Sequence, residues 1–382
     1  MSAVAVVGAG PVGLAAALAA HSLGLDTTLL EARPRTSPRA GSRAIFVHRA
    51  TLALLDGISP GLGGRIAGQG LVWDTKRTLW AGRQVHSRTY DVRPGRPAPF
   101  VSLPQTAVED ELRRACDAAG ITSVWGDAVS ELRGDPGGVR LVTESGREHP
   151  AGHVIAADGA RSRVRDRSGI HLEGAASDNE FVVVDVADGP RPARPERVFH
   201  YRHPGADGRN VLLVPFRGGW RVDVQCRPGD DAADLRASAS RWLPAVFPHD
   251  PDARISWSSV YRFQRRLASS FTDTHRRVLL AGEAAHLLPP FGARGMNSGI
   301  QDAVAAAHAV REDTVAEYAR TRRAAAEVNA RAAGQALDHL LAARWGRRCL
   351  QWSAAGASLL WPYAGKWLDT APYGPRLRAA RY

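Results

Sequence analysis

Lysine is almost missing from this chain of 382 residues: Lys76 and Lys366 are the only two, so the net charge of +12 rests on arginine. The arginines are spread over the whole length and form no long basic run. That spread fits a genome rich in arginine codons better than a nucleic-acid partner, which would need its cations clustered on one face. Cysteine is scarce as well, and Cys116, Cys226 and Cys349 show neither a CxxC spacing nor a histidine at ligand spacing. No disulfide framework and no metal site are expected, which suits a reducing cytoplasm. No run approaches the ~20 uninterrupted apolar residues that a membrane-crossing helix requires. No basic segment precedes the first apolar run, so no secretory leader is expected.

What is present is a large apolar fraction, 44% of residues, enough to bury a core shared by two or three interlocked units. Ala3 to Val7 read as a short buried strand, followed by Gly8-Ala9-Gly10-Pro11-Val12-Gly13 and an Ala/Leu-rich helix to about Leu23. A second strand, Thr27 to Leu30, ends in Glu31. Strand, glycine turn, helix, strand and acid form a dinucleotide-binding βαβ unit. Gly8 permits the tight turn, Gly10 lets the backbone approach a pyrophosphate, and Gly13 lets helix and strand pack closely. The start of the helix at Pro11 and Val12 presents free N–H groups to phosphate, and Glu31 can accept bonds from ribose hydroxyls. Only one glycine fingerprint opens such a unit. Gly61 to Gly70 has no strand before it, and Gly134 to Gly138 reads as a hairpin turn. Architectures with two dinucleotide-binding units are thereby disfavoured.

Two further segments narrow the choice of cofactor. His153 to Ala157 is an apolar strand running into Asp158-Gly159-Ala160-Arg161. Arg277 to Ala281 is another, ending in Gly282-Glu283-Ala284-Ala285-His286 and continuing through Pro289-Pro290-Phe291-Gly292-Ala293-Arg294-Gly295-Met296-Asn297 to Asp302. In this order and at these separations the three motifs resemble the class A flavoprotein monooxygenases, the p-hydroxybenzoate hydroxylase-like group, over nearly residues 1 to 335. Gly41-Ser42-Arg43, Leu103-Pro104-Gln105 and Pro290 to Gly295 are most similar to 3-(3-hydroxyphenyl)propionate hydroxylase-like members.

The resemblance implies an α/β fold: a Rossmann-like FAD-binding domain interleaved with an antiparallel-sheet substrate domain, plus C-terminal helices. The expected boundaries are 1–175 for the FAD-binding domain, with an inserted substrate-side segment near 70–105. The substrate sheet follows at 176–270, the FAD-binding domain resumes at 271–335, and helices occupy 336–382. It implies FAD as cofactor, NADPH or NADH as transient reductant, O₂ and an aromatic substrate, in a monomer or homodimer. By the same resemblance Gly282 and Glu283 meet the ribityl chain, Arg43 and Gln105 flank the cofactor, and Asp158 belongs to a segment used for FAD and nicotinamide alike. The glycine-rich run through Gly292, Gly295, Met296 and Asn297 opens a helix whose dipole can stabilise negative charge at the flavin edge. Glu283 departs from the usual Asp and carries its acceptor one methylene further out.

The implied reaction is hydroxylation of a phenolic or polyketide-like aromatic through a flavin C4a-hydroperoxide in a site kept dry. An oxidase or reductase of the same fold, or a non-catalytic flavin-fold binding protein, are the alternatives. A base for the phenol would help, and His48, His200 and Tyr201 are candidates, with Pro290 shaping the wall beside the flavin.

Alternating runs at Phe181 to Val186, Arg197 to Tyr201, Val211 to Pro215, Trp220 to Cys226 and Ile255 to Phe263 read as antiparallel strands with one face over the flavin. Trp73, Tyr90, His200, Tyr201, Phe216, Trp220 and Tyr261 are candidates for a substrate wall. From Thr314 to about Leu350 the text is helical, with Leu337, Leu341, Trp345 and Trp352 on one stripe.

Overall fold

The computed structural model describes residues 3–38, 46–92, 98–189, 194–248, 250 and 253–373. Arg43 lies outside the described residues.

The apolar strand Ala3–Val7 is the centre of a five-stranded sheet. His153–Ala156 and then Val278–Leu280 lie on one side of it, Asp26–Glu31 and then Thr122–Trp125 on the other, and every pairing is parallel. Parallel pairing puts the carboxyl ends of all five strands on one edge. The three sequence motifs, more than a hundred residues apart, therefore leave the sheet side by side. Backbone bonds stitch them together: Gly8 N–H to Leu30 O at 2.7 Å, Ala157 N–H to Val7 O at 2.8 Å and Ala281 N–H to Ala156 O at 2.9 Å.

The second unit is an eight-stranded sheet whose middle strands are Leu172–Ala187, Gly219–Gln225, Arg209–Phe216 and Glu196–His203. Arg254–Ala268 and His286–Leu287 extend it on one side. On the other, the inserted hairpin Thr75–Trp80 and Arg83–Thr89 joins it, and the junction between Glu196–His203 and Thr75–Trp80 is parallel in an otherwise antiparallel sheet. Side chains alternate between faces of a strand. Val182, Val184, Val198, Leu213, Trp220, Val222 and Val224 go to one face and form a core with the helices Ala232–Ala237 and Ala239–Val246.

The long helical text after Thr314 is two helices and not one stripe. Val315–Leu341 ends at Ala342, whose φ of 42° breaks the helical path before Trp345–Ala357 begins. Leu337 is buried while Trp345 and Trp352 are exposed, and the second helix lies back on the body through Gln351, which donates to His339 O, and Ala355, whose carbonyl accepts from Arg83. The chain then folds back through Pro362–Thr370, where Gly365 lies so close to the inserted hairpin that a Cβ would stand 1.9 Å from Val85 O. Asp369 anchors this return: it is 2% exposed, pairs with Lys76 at 2.5 Å and accepts from Thr78 Oγ1 at 2.9 Å. Among the described residues no helix is long and apolar enough to cross a membrane.

Removing one partner of a buried ion pair leaves the other uncompensated, a cost of roughly 3–5 kcal/mol. Asp369→Ala is therefore expected to lower the stability measured by urea unfolding by that order, whereas Glu131→Ala, which removes an exposed pair with Arg133, should change it little.

Candidate active site

At the first motif Gly8 has φ +101°, and a Cβ there would meet Ala157 O at 2.4 Å. A Cβ on Gly13 would stand 1.7 Å from Gly8 O, so only glycine lets the helix Pro11–Ser22 begin against the strand. Gly10 is different: a Cβ there would meet nothing within 4 Å, because Gly10, Pro11 and Val12 face open space. Glu31 holds the loop by accepting from Ala9 N–H at 2.6 Å and from Arg33 N–H at 3.1 Å.

The second motif is mainly a brace. Asp158 accepts from Ser162 Oγ and from Val164 N–H, capping the short helix Arg163–Arg167, while Gly159 lines the open space. Arg161 is exposed and the buried Arg165 donates to Ala160 O and Ala284 O, tying the second motif to the third.

At the third motif Gly282, with φ 60°, packs on Val12, and Glu283 projects into the open space. Asp302 lies beneath this turn. It accepts from His286 Nε2 and from Arg322 Nε, both at 2.7 Å, and from Gly282 N–H at 3.3 Å. Burial opposes its ionisation, but Arg322 and His286 outweigh that and hold its carboxyl below the usual range. The helix Arg294–Glu312 starts after Gly292 (φ 78°) and Ala293 (φ 53°), and its first residues Arg294, Gly295 and Met296 line the cavity. Asn297 does not: its amide donates to Phe46 O and Ala293 O and accepts from His48 N–H and Thr51 Oγ1, so its side chain is spent on the scaffold. Gln105 lines the cavity and donates to Glu109 at 2.9 Å.

The open space is one cavity of about 1340 Å³ running from the glycine cradle to the second face of the large sheet. That face carries Phe181 and Val183, Arg197 and Phe199, Leu212 and Val214, Arg221 and Asp223, and Trp257, Ser259, Tyr261 and Phe263. Phe291 meets Phe181 and Phe263 edge-on at 6.2 and 5.2 Å, making an apolar wall beside Pro290. Trp73, Tyr90 and Phe100 form a second aromatic cluster across the cavity.

Of the candidate bases, only His48 lines the cavity, and burial, with Arg294 adding to it, holds its imidazole below the ordinary value. Tyr201 is 1% exposed, with its hydroxyl held by His339 Nε2 at 2.8 Å and Leu368 O at 2.7 Å. His200 stacks on His203 at 4.3 Å. Neither His200 nor Tyr201 is on the cavity wall, and neither are Phe216 and Trp220, the latter packing on Phe247 in the opposite core. Trp73, Tyr90 and Tyr261 are on it.

Sequence reasoning passed over Arg197, Arg221 and Asp223. Arg221 makes two 2.8 Å bonds to Asp185 and lies 5.6 Å over the Trp257 ring. Burial lowers Arg197 to about 10, leaving it a cation at neutral pH. Burial pushes the Asp223 carboxyl up to about 7, with Asp185 adding to the rise and Arg221 and Arg197 opposing it. The signal was in the sequence: Arg221, Asp223 and Gln225 alternate with Trp220, Val222 and Val224, but such a pattern reads as an ordinary solvent-facing strand until both faces are known to be covered.

A family profile described as an FAD binding domain matches residues 1–333. The chain belongs to that FAD-binding family. It is 33% identical over 322 residues to 6-methylpretetramide 4-monooxygenase of Streptomyces rimosus, covering 78% of this chain and 54% of the relative. It is 30% identical, with 78% and 53% covered, to a 3-(3-hydroxy-phenyl)propionate/3-hydroxycinnamic acid hydroxylase of Mycobacterium avium (strain 104). The chain thus spans about half the length of these curated relatives. The crystal structure of p-nitrophenol 4-monooxygenase from Pseudomonas putida DLL-E4 superposes with a TM-score of 0.78 at 25% identity, covering 98% of this chain and 99% of that one.

The residues present fit the FAD that the family binds. The cradle leaves room at Gly10 where any side chain would project, and the helix beginning at Pro11 aims its N-terminus there. The helix beginning at Arg294 aims a second N-terminus into the same cavity. Gly13→Ala is expected to abolish flavin retention, because its Cβ cannot coexist with Gly8 O; the flavin absorbance of the purified variant checks this. Asp223 also generates a stability prediction. Its folded carboxyl keeps a proton up to about 7, while unfolded Asp loses it near ~3.9. The unfolded state then binds fewer protons, so stability falls as pH rises across that window. Asp223→Asn should flatten the fall in melting temperature.

Proposed function

We propose that this protein is an FAD-dependent, NAD(P)H-consuming monooxygenase that hydroxylates a phenolic or polyketide-like aromatic substrate. The observation that carries the reading is the single cavity joining the cofactor cradle to an aromatic and cationic sheet face. Its volume of about 1340 Å³ exceeds the ~300–1,000 Å³ of a site for one ligand, which fits a cofactor and a substrate held together. The names of the relatives, monooxygenases and hydroxylases of aromatic compounds, support the same reading.

When bound, FAD supplies the two electrons taken from NAD(P)H and the activation of O₂. The chain's own residues do the rest. The cradle at Gly10 to Gly13 and the turn at Gly282 and Glu283 hold the cofactor, with Gln105 flanking it. The helix starting at Arg294 offers first-turn N–H groups and the positive end of its dipole to developing negative charge. Phe181, Phe263 and Phe291 exclude water from the place where substrate meets cofactor. Arg197 and Arg221 put positive charge on the sheet face, which favours an ionised phenol.

The test is NADPH and NADH oxidation in air by FAD-reconstituted protein against a panel of phenols, with mass analysis of products. Phenol-stimulated oxidation and a product heavier by one oxygen atom are expected. Flavin binding with no stimulation by any phenol or polycyclic aromatic would sink the hydroxylase reading. Pro290→Ala should loosen the wall and raise the hydrogen peroxide released per NAD(P)H consumed several-fold; unchanged coupling would remove Pro290 from that role.

A further inference from the structure

We propose that Asp223 is the catalytic base that accepts the hydroxyl proton of the aromatic substrate, an inference that rests on the monooxygenase reading above. Asp223 stands on the cavity face of the strand Gly219–Gln225, in the middle of the large sheet. Its strand neighbours are apolar: Leu212 lies opposite on one side and Val183 on the other. The carboxyl lines the cavity, and its Oδ1, which is covered by protein, has no hydrogen-bond partner, so no donor holds the group in a fixed ionised state.

The charged groups around it are Arg221 on its own strand, Asp185 on the strand Leu172–Ala187 and Arg197 on the strand Glu196–His203. Arg221, which makes two bonds to Asp185, is the strongest influence among these charges and favours the ionised carboxyl, against burial and Asp185. The balance of burial and these charges keeps the carboxyl near 7, where a base can both lose its own proton and take another at neutral pH.

The other titratable groups on the wall are worse placed. Protonating His48 would create a second cation beside Arg294. His286 has an unpartnered Nδ1, but its ring is 1% exposed, stacked on Phe271 and locked to Asp302. His339 is engaged with Tyr201 and pulled down to about 4 by burial, with Arg347 adding to it.

In the step itself the substrate O–H bond breaks and its electron pair stays on the phenolate oxygen. The proton forms a new O–H bond on Asp223, while Arg197 and Arg221 offset the negative charge now on the ring. The ring thereby becomes electron-rich at the carbon to be hydroxylated.

The test compares wild type with Asp223→Asn and Asp223→Glu as FAD-reconstituted proteins. With weakly acidic phenols, Asp223→Asn is expected to lower kcat by about 10²–10⁴-fold and to lose the ascending limb of the pH profile near 7. The loss should be far smaller with 4-nitrophenol assayed well above neutral pH, where that phenol is already largely ionised, and Asp223→Glu should restore part of the rate. A second readout needs no turnover: the absorbance of bound 4-nitrophenol against pH should show two coupled steps in wild type and one in Asp223→Asn. A wild-type pH limb in Asp223→Asn, an equal loss with every phenol, or identical titrations of the bound ligand would overturn the assignment. Wild type that oxidises NAD(P)H with no aromatic compound would instead remove the hydroxylase reading, while the bound-ligand titration would still decide Asp223.

Discussion

The buried carboxylate of Asp302 is the joint on which the site turns. It receives Gly282 N–H from the turn after one strand of the parallel sheet, His286 from the start of the next segment and Arg322 from the long helix Val315–Leu341. An ion taken out of water is costly unless its lone pairs are filled, and here three donors fill them. Because Asp302 is itself on the helix Arg294–Glu312, one carboxylate fixes the turn that presents Glu283 relative to the helix whose N-terminus faces the cavity. The glycines do the complementary work of removing side chains. Gly299 lets that helix approach Val12 and Gly282, where a Cβ would stand 2.6 and 3.0 Å from them.

The large sheet solves a different problem. One face is an ordinary apolar core, and the other carries Arg197, Arg221 and Asp223 inside a cavity roofed by aromatic rings. Placing ionisable groups where both faces are covered costs solvation, and the arrangement offsets it by pairing Arg221 with Asp185 and by leaving Asp223 near neutrality. The C-terminal return closes the far end, with Asp369 neutralising Lys76 and Leu368 O receiving the Tyr201 hydroxyl. Tyr201, which looks from the sequence like a base, is therefore an internal strut.

Local chemistry made much of this legible in advance. The strands at Ala3, His153 and Arg277 and the glycines that follow them announce their own conformations, because φ above zero and close backbone approach admit little else. The roles of individual polar residues were less legible. Asp158 and Asn297 look like cofactor ligands by position, yet their side chains brace a helix cap and a loop, since which hydrogen bonds an amide or carboxylate makes depends on neighbours distant in the chain.

The dinucleotide-binding unit, each of the three glycine motifs and the alternating strands of the second sheet were legible from the chain alone, because each rests on spacing within a few residues. Packing between distant segments placed the inserted hairpin Thr75–Trp80 and Arg83–Thr89 on that sheet's edge and turned the sheet's polar face into the cavity. It also decided that Asp223 rather than Tyr201 meets the enclosed space. Those outcomes follow from parallel pairings and packing between residues more than a hundred positions apart, and no local pattern encodes which face of a strand a distant segment will cover.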